Sequence, residues 1–209
     1  MELLAQFFER HKELAYLEEQ VKQAILVIAE AFRNGNKLLV CGNGGSSADA
    51  DHIVGELMKG FEMKRPLGPN LQSALKDQYG ERGAALASSL QQGLPAISLS
   101  AHTALLTAVA NDLGGDYIYA QQVAGYGKRG DVLWAISTSG NSQNVINALM
   151  VARGSGLTTI GMTGETGGDM NDLCDVLLNV RGNSTAGIQE LHLPVYHVIC
   201  RMIETEFFG

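Results

Sequence analysis

Apolar side chains recur at helical spacing across the first 34 residues of the chain. Phe7, Val21 and Phe32 belong to this stripe, which predicts a long N-terminal helical segment. Asn34-Gly35-Asn36 follows it, and such residues commonly end helices. The stripe is wider than one small sheet requires, so it favours packing against a second subunit. The alternative is a helix that breaks near residues 11–13 and folds back on its own domain.

Beyond residue 34, short apolar runs alternate with longer amphipathic ones. The predicted strands are Lys37–Cys41, Ala96–Leu99, Val132–Ile136, Thr158–Met162 and Asp175–Val180. The predicted helices are Ala48–Phe61, Ala101–Ala110, Tyr117–Gly125, Gln143–Arg153 and Ile188–Phe207. Alternating strands and helices predict an α/β fold with a five-stranded parallel sheet flanked by helices. We expect one domain over residues 1–209.

Residues 65–94 interrupt this alternation. Pro66, Gly68 and Pro69 open the segment, and a long polar stretch follows them. This composition predicts a turn and one or two polar helices that lie over the surface as an insertion. The segment joins the helix Ala48–Phe61 to the second strand. We therefore expect its ends near the ligand-binding edge, where it would form a flap or an interface element.

The composition is that of an ordinary globular protein, with 45% apolar and 18% charged residues. A net charge of −7 and a pI near 5.2 argue against a nucleic-acid partner. Cys41, Cys174 and Cys200 are widely spaced and odd in number, which fits a reducing, cytoplasmic compartment. No apolar run approaches the length of about 18 residues that a membrane span needs, so we expect no membrane partner.

Two polar loops directly follow predicted strands, and ligands of open α/β sheets bind beyond the carboxyl ends of the strands. Glycines allow close backbone approach, and hydroxyls with free helix amides can hold a phosphate. Patterns typical of nucleoside triphosphate and dinucleotide sites are absent from the sequence. The alternative is that both loops are tight turns with good helix caps. The first loop is Gly42-Asn43-Gly44-Gly45-Ser46-Ser47, and the second, which offers four hydroxyls, is Ser137-Thr138-Ser139-Gly140-Asn141-Ser142.

Two pairs of polar residues suggest a second part of the site. His52 and Glu56 are four residues apart on one predicted helix, and Gln189 and His197 are eight apart on the last one. Each spacing puts its pair on roughly one helix face. Imidazole and carboxylate together suit zinc. The alternative is that each is an ordinary surface or hydrogen-bonded helix residue.

Four segments, in order, resemble the SIS (sugar isomerase) family, and most closely its phosphoheptose isomerase branch. They are CGNGGSSADADHIVGEL, AVANDLGGD, GDVLWAISTSGNSQNVINAL and GIQELHLPVYHVI. The resemblance implies an aldose–ketose isomerase that converts sedoheptulose 7-phosphate to D-glycero-D-manno-heptose 7-phosphate through an enediol. It implies a homotetramer whose active sites are shared between subunits.

The same resemblance assigns roles to individual positions. The residues that would hold the phosphate and the nearby hydroxyls are Asn43, Gly44, Ser46, Ser137, Thr138, Ser139 and Ser142. Glu56 and His197 would be the catalytic acid/base pair, and Asp112 would contact the sugar. Gln189 would bind substrate as well. In zinc-containing members the metal ligands correspond to His52, Glu56, Gln189 and His197, all of which are present.

The sequence departs from the family pattern in three places. Gly60 and Gly187 stand where the family usually has arginine, and compact members lack an insertion at residues 65–94. Nearby cations, Arg65 among them, are candidates to replace the missing arginines. The departures bear on the identity of the sugar more than on the type of reaction.

Two other functions compete with the enzyme. A related SIS branch is a regulatory tetramer that binds the bacterial replication initiator and lacks the acid/base residues. A third possibility is a sensor that binds a sugar phosphate without turnover. Glu56 and His197 are both retained here, which favours the isomerase.

Overall fold

The computed structural model describes residues 2–209, which form a single parallel sheet between two layers of helices. The strands are β1 Leu38–Gly42, β2 Ala96–Ser98, β3 Val132–Ser137, β4 Thr158–Gly164 and β5 Val176–Val180. The helices are α1 Glu2–Arg10, α2 Glu18–Arg33, α3 Gly45–Met58, α4 Pro69–Ser89, α5 Thr103–Asp112, α6 Ile118–Tyr126, α7 Gln143–Gly154 and α8 Thr185–Phe208. Three short 3₁₀ segments lie at Lys12–Leu17, Gly115–Tyr117 and Gly168–Asp172.

The five strands are arranged in the order β2-β1-β3-β4-β5, and all pairs are parallel. The predicted α/β class and five-stranded sheet are therefore confirmed. The order reverses direction between β1 and β3, because the chain first moves outward to β2 and then returns past β1. In doubly wound folds the crevice at such a reversal is the usual ligand site.

Alternate residues of each strand feed two separate cores, as the two-residue repeat of a strand requires. Val40 and Trp134 pack with α1, α2, α3 and α8 on one face of the sheet. Leu39 and Leu133 pack with α6 and α7 on the other. Because both faces are covered, the strands are almost continuously apolar.

The N-terminal segment is broken, and its apolar stripe is buried within the chain itself. The α-helix stops at Arg10, and a 3₁₀ segment leads from Lys12 into α2. Phe7, Leu14 and Val21 all belong to the core shared with α8. The prediction of one continuous helix is wrong, and the alternative of a broken helix packed on its own domain is confirmed. The stripe therefore gives no argument for a second subunit.

Residues 65–94 differ from expectation in two respects. Their ends lie at the amino edge of the sheet, because α3 runs back from the carboxyl end of β1; the Leu94 amide donates to the Leu57 carbonyl just before β2 begins. The expected position at the carboxyl edge is therefore wrong, although Arg65, at the start of the segment, contacts the end of α3. The segment is mostly exposed, yet Arg65 is completely buried. Helix α4 is kinked at Gly80, whose φ is +56°.

None of the helices between residues 2 and 209 is long and apolar enough to cross a membrane.

Candidate functional site

The first polar loop lies at the carboxyl end of β1, beside the reversal in strand order. Gly44 has φ +56° and ψ −119°, a conformation that glycine adopts without strain. This turn leads directly into α3, and the Ser46 amide donates to the Asn43 carbonyl at 3.0 Å. The Asn43 side chain is exposed, whereas Ser46 is buried.

The second polar loop follows β3 on the other side of the reversal. The hydroxyls of Ser137 and Ser142 lie 3.0 Å apart. Thr138 and Ser139 line a cavity of about 390 Å³ whose far wall includes the first residues of α8. Because unpaired amides at a helix N-terminus favour anions, this cavity is suited to a phosphate group.

Side-chain contacts join the two loops into one surface. Asn43 and Asn144 exchange two amide hydrogen bonds of 2.8 and 2.9 Å across the reversal. Tyr119 reaches from α6 to the same point, where its hydroxyl donates to the Gly42 carbonyl and lies 3.3 Å from the Asn43 side chain. These contacts fix the spacing between the loops.

A polar cluster lies further along α3, where this helix packs against α8. The His52 Nε2 atom lies 3.0 Å from the Glu56 Oε1 atom. The ring centroids of His52 and His197 are 5.0 Å apart. The structure thus brings together three of the four residues that the sequence pairs suggested. His52 is partly open to solvent, while the Glu56 side chain is 12% exposed.

Two atoms of this cluster have no partner within the described part of the chain. The Oε2 atom of Glu56 and the Nε2 atom of His197 are both buried and accept or donate no hydrogen bond among residues 2–209. Burial lowers the pKa of His197, and the nearby His52 lowers it further. Unsatisfied buried polar atoms are rare in folded proteins, so the pair marks a place where a ligand would complete the bonding.

Tyr196, on α8, contacts His52 through a hydrogen bond. Its buried hydroxyl lies 2.9 Å from the His52 Nδ1 atom and 3.4 Å from the Asp49 Oδ1 atom. Burial raises the pKa of Asp49. With Nδ1 occupied by Tyr196, the His52 Nε2 atom faces Glu56 and the open side of the cluster. A ring nitrogen fixed in this way is a typical means of orienting a functional histidine.

Gln189 and Asp112 lie apart from this cluster. The Gln189 amide packs directly against Gly45 at the start of α3, about two helical turns before His52. Asp112 ends α5 with an exposed carboxylate that accepts a hydrogen bond from the Asn111 side chain at 2.7 Å. The hydrogen bonds and ion pairs found among residues 2–209 join Asp112 to neither loop. Its role as a sugar contact stays a prediction.

The residues fit a metal ion only in part. The unpartnered Glu56 and His197 atoms are suitable donors beside His52. However, no group of three or more His, Cys, Asp or Glu side chains in residues 2–209 is arranged to hold a metal. Zinc binding therefore stays a prediction.

One of the departures from the family pattern, the glycine at position 60, has a structural cause. A Cβ atom on Gly60 would overlap the Met63 carbonyl, and the Gly60 amide donates to the Gln91 side chain at 2.9 Å. An arginine at this position would therefore disturb the local backbone. Arg65 is no substitute, because it is buried and fully engaged within the protein. At Gly187 a Cβ atom would lie 3.2 Å from the Ser184 hydroxyl and 3.8 Å from the Asn183 side-chain oxygen, so the backbone there does not exclude a side chain.

The sequence alone did not identify Asn144, Tyr196 or Glu204 as residues of this region. For two of them a signal was available. Tyr196 follows His192 at a spacing of four and Glu204 follows His197 at a spacing of seven, so each shares a face of α8 with a histidine. Asn144 had no signal beyond its place in the first turn of α7, because its partner is 101 residues away.

A doubly wound α/β sheet with two linked polar loops at its reversal is an arrangement typical of proteins that bind small anionic ligands. The SIS domain family model matches residues 4–81 and 81–164. A phosphoheptose isomerase of Aliarcobacter butzleri is 42% identical over 195 residues, which cover 93% of this chain and 89% of that protein. The chain belongs to the SIS domain family.

Solved structures agree with this assignment. A phosphoheptose isomerase from Neisseria gonorrhoeae superimposes with a TM-score of 0.74 at 34% identity, covering 96% of this chain and 94% of that chain. A phosphoheptose isomerase from Francisella tularensis gives a TM-score of 0.75 at 33% identity, covering 90% and 86%. The predicted resemblance is therefore confirmed.

Proposed function

We propose that the protein is an aldose–ketose isomerase that acts on sedoheptulose 7-phosphate. The observation that carries the proposal is a pair of buried, unpartnered atoms, Glu56 Oε2 and His197 Nε2, on helices that begin beside the two polar loops. The phosphoheptose isomerases that match nearly the whole chain support the same activity.

The two parts of the site suit the two ends of such a substrate. Ser137, Ser139 and Ser142 would hold the phosphate beside the N-terminus of α8. His52 lies about 10 Å along α3 from its first residue, a distance comparable to the length of an extended seven-carbon sugar phosphate. The carbonyl end would then lie near His52, Glu56 and His197.

The reaction transfers a proton between adjacent carbons through an enediol, so it needs a base and an acid. Glu56 has a free carboxylate oxygen and would remove the proton from carbon. His197 would exchange a proton with the adjacent oxygen, and its lowered pKa keeps the ring neutral near pH 7. A base and an acid held within hydrogen-bonding reach of the reacting atoms accelerate such steps.

We also propose that His52, Glu56 and His197, with Gln189 as a weaker fourth ligand, can hold zinc. When bound, zinc would polarise the substrate carbonyl and stabilise negative charge on its oxygen. For Gln189 to take part, its amide would have to leave Gly45.

A turnover assay tests the proposed function. Sugar phosphates of seven, six and five carbons are incubated with the protein, and aldose–ketose conversion is followed. Conversion of sedoheptulose 7-phosphate in preference to the shorter sugars is the expected result. Binding without conversion would indicate a sensor, and neither binding nor conversion would favour a regulatory role.

Two further proposals concern the setting of the enzyme. We propose a homotetramer on the basis of the family resemblance, which light scattering at micromolar concentration would test. We propose a cytoplasmic location, consistent with three unpaired cysteines of which Cys41 and Cys200 are buried.

A further inference from the structure

A buried ion pair lies beneath the polar cluster, between the end of α3 and α8. Arg65 is 0% exposed and Glu204 is 1% exposed. The Arg65 Nε atom donates to the Glu204 Oε1 atom at 2.8 Å. The guanidinium also lies over the Phe208 ring, 4.9 Å from its centroid. A charge pair this deeply buried contributes little net stability, since desolvation offsets most of the attraction.

Both members of the pair also bind the backbone that carries Glu56. Arg65 donates to the carbonyls of Glu56 at 2.9 Å and Leu57 at 2.6 Å, in the last turn of α3, where carbonyls lack helical partners. Glu204 accepts hydrogen bonds of 2.8 Å from the amides of Phe61 and Glu62. Although burial alone would raise the pKa of Glu204, these amides and Arg65 lower it overall.

The ion pair is also connected to His197, through Glu204 and Phe61. Glu204 lies seven residues after His197 in α8, which is about two turns on the same face. The Phe61 amide is held by Glu204, and the Phe61 ring packs against the His197 ring with centroids 5.4 Å apart. The helix end that carries Glu56 and the aromatic support of His197 therefore depend on one carboxylate and one guanidinium.

We propose that Arg65 and Glu204 are positioning residues that hold Glu56 and His197 in register for proton transfer. This inference rests on the proposed isomerase function. A planar guanidinium is suited to this task, because its fixed fork binds a carboxylate and two carbonyls at once. Small displacements of reacting groups reduce rates strongly, by up to about 100-fold for 1 Å.

Kinetics of matched variants test the proposal. Glu204→Gln keeps the shape but removes the charge, and Arg65→Lys keeps the charge but lacks the fork. Both should lower kcat for sedoheptulose 7-phosphate by about tenfold or more, with KM changed less than about threefold. Asp131→Asn serves as the control, because Asp131 belongs to a different buried ion pair, and its carboxylate binds Lys37 and Lys128 rather than α3 or α8. Its kcat per folded molecule should equal that of the wild type.

A variant with both charges removed separates positioning from folding. Arg65→Met combined with Glu204→Leu leaves no lone buried charge and is expected to fold. A folded double variant with low kcat supports the proposal. Wild-type kcat in this variant, or in both single variants, would overturn it, as would an equal loss in Asp131→Asn.

Hydrogen exchange tests, independently of activity, whether Glu204 holds the backbone amides of Phe61 and Glu62. In Glu204→Gln, the Phe61 and Glu62 amides should exchange at least about tenfold faster, while amides of β3 keep their protection. Unchanged exchange at residues 61 and 62 would overturn the anchor. If the wild-type protein did not isomerise the sugar phosphate, the proposed function would fail, and the exchange result would still decide whether the pair fixes this segment.

Discussion

Two nearly buried carboxylates in this protein, those of Asp131 and Glu56, differ in how fully they are hydrogen-bonded. Asp131, just before β3, accepts hydrogen bonds from the Lys37 amide at 3.0 Å and the Lys128 amide at 2.8 Å, and it pairs with the Lys37 ammonium. Glu56, on α3, has one oxygen 3.0 Å from His52 and another with no partner in residues 2–209. Both oxygens of the Asp131 carboxylate therefore have hydrogen-bond partners, whereas one oxygen of the Glu56 carboxylate has none among the described residues.

The difference separates a structural role from a functional one. A carboxylate whose lone pairs are all used can only stabilise the fold, because a ligand would have to displace its partners. A buried oxygen without a partner costs free energy in the absence of a ligand. The function proposed above accounts for the Glu56 oxygen, because a substrate or an ion would supply the missing contact. Substitutions at the two positions should therefore affect different quantities.

The largest expected effect is on turnover. Glu56→Gln keeps the size of the side chain and removes the basic carboxylate, so kcat for sedoheptulose 7-phosphate should fall by about 100-fold to 10,000-fold. Stability should be unchanged or slightly higher, since the orphaned buried oxygen loses its charge. Steady-state kinetics and urea unfolding measure the two quantities. Full activity in this variant would contradict the role given to Glu56.

A histidine outside the cluster tests whether every incomplete buried group is functional. His192 is fully buried; its Nε2 atom donates to the Thr163 carbonyl at 3.2 Å, and its Nδ1 atom is unpartnered among the described residues. Burial lowers the pKa of His192 from 6.5 to about 4. The unfolded chain then binds a proton more readily than the folded one, so stability is lost as pH falls from 6.5 towards 4.

The size of this loss is about 3 kcal/mol, since each pKa unit corresponds to about 1.4 kcal/mol. Urea unfolding between pH 7 and pH 4 measures it. In His192→Gln the slope over this range should be smaller, whereas a change at the exposed His102 should leave it unaltered. Equal slopes in the wild type and His192→Gln would show that the buried ring does not control acid stability.

The completed carboxylate should report on stability alone. Asp131→Asn removes the charge that pairs with Lys37 and one acceptor oxygen, so the free energy of unfolding should fall by about 2 kcal/mol. Because the Asp131 carboxylate binds Lys37 and Lys128 and not the helices that carry Glu56 and His197, kcat per folded molecule should not change. If fully folded Asp131→Asn protein had a much lower kcat, the assignment of a structural role to Asp131 and a catalytic role to Glu56 would be contradicted.

The sequence was sufficient for the sheet and for the main site elements, because these depend on local patterns. Continuous apolar runs such as Val132–Ser137 mark strands buried on both faces, and the polar loop after them marks the carboxyl edge. The pairing of His52 with Glu56 follows from helical geometry alone. These features need no knowledge of distant contacts.

The errors came from contacts between distant parts of the chain. Arg65 lies in a polar stretch and was predicted to be at the surface, yet it is buried through Glu204, 139 residues away. The sequence gives only a weak sign of the helix break at His11, because the apolar spacing continues through it, and the residues on both sides pack into the core shared with α8. Gln189 was expected beside His52, but the length of α8 places its amide against Gly45.

The smallest expected effect on kinetics is that of a serine substitution in the second polar loop, at the carboxyl edge of the sheet. The comparison here is between two exposed serines, Ser139 in the loop and Ser155 outside it. The Ser139 side chain is exposed and its hydroxyl accepts a hydrogen bond from the Asn141 amide at 3.2 Å. Ser139→Ala should weaken substrate binding by about 1 kcal/mol, or about fivefold in KM, because one hydroxyl contact to the phosphate is lost. Since the phosphate is remote from the reacting carbons, kcat should stay near the wild-type value.

Ser155→Ala, at the exposed far end of α7, is the matched control and should leave both constants unaltered. If Ser139→Ala lowered kcat while KM stayed constant, the loop would act on the chemistry itself, and the assignment of the two ends of the substrate would have to be reversed.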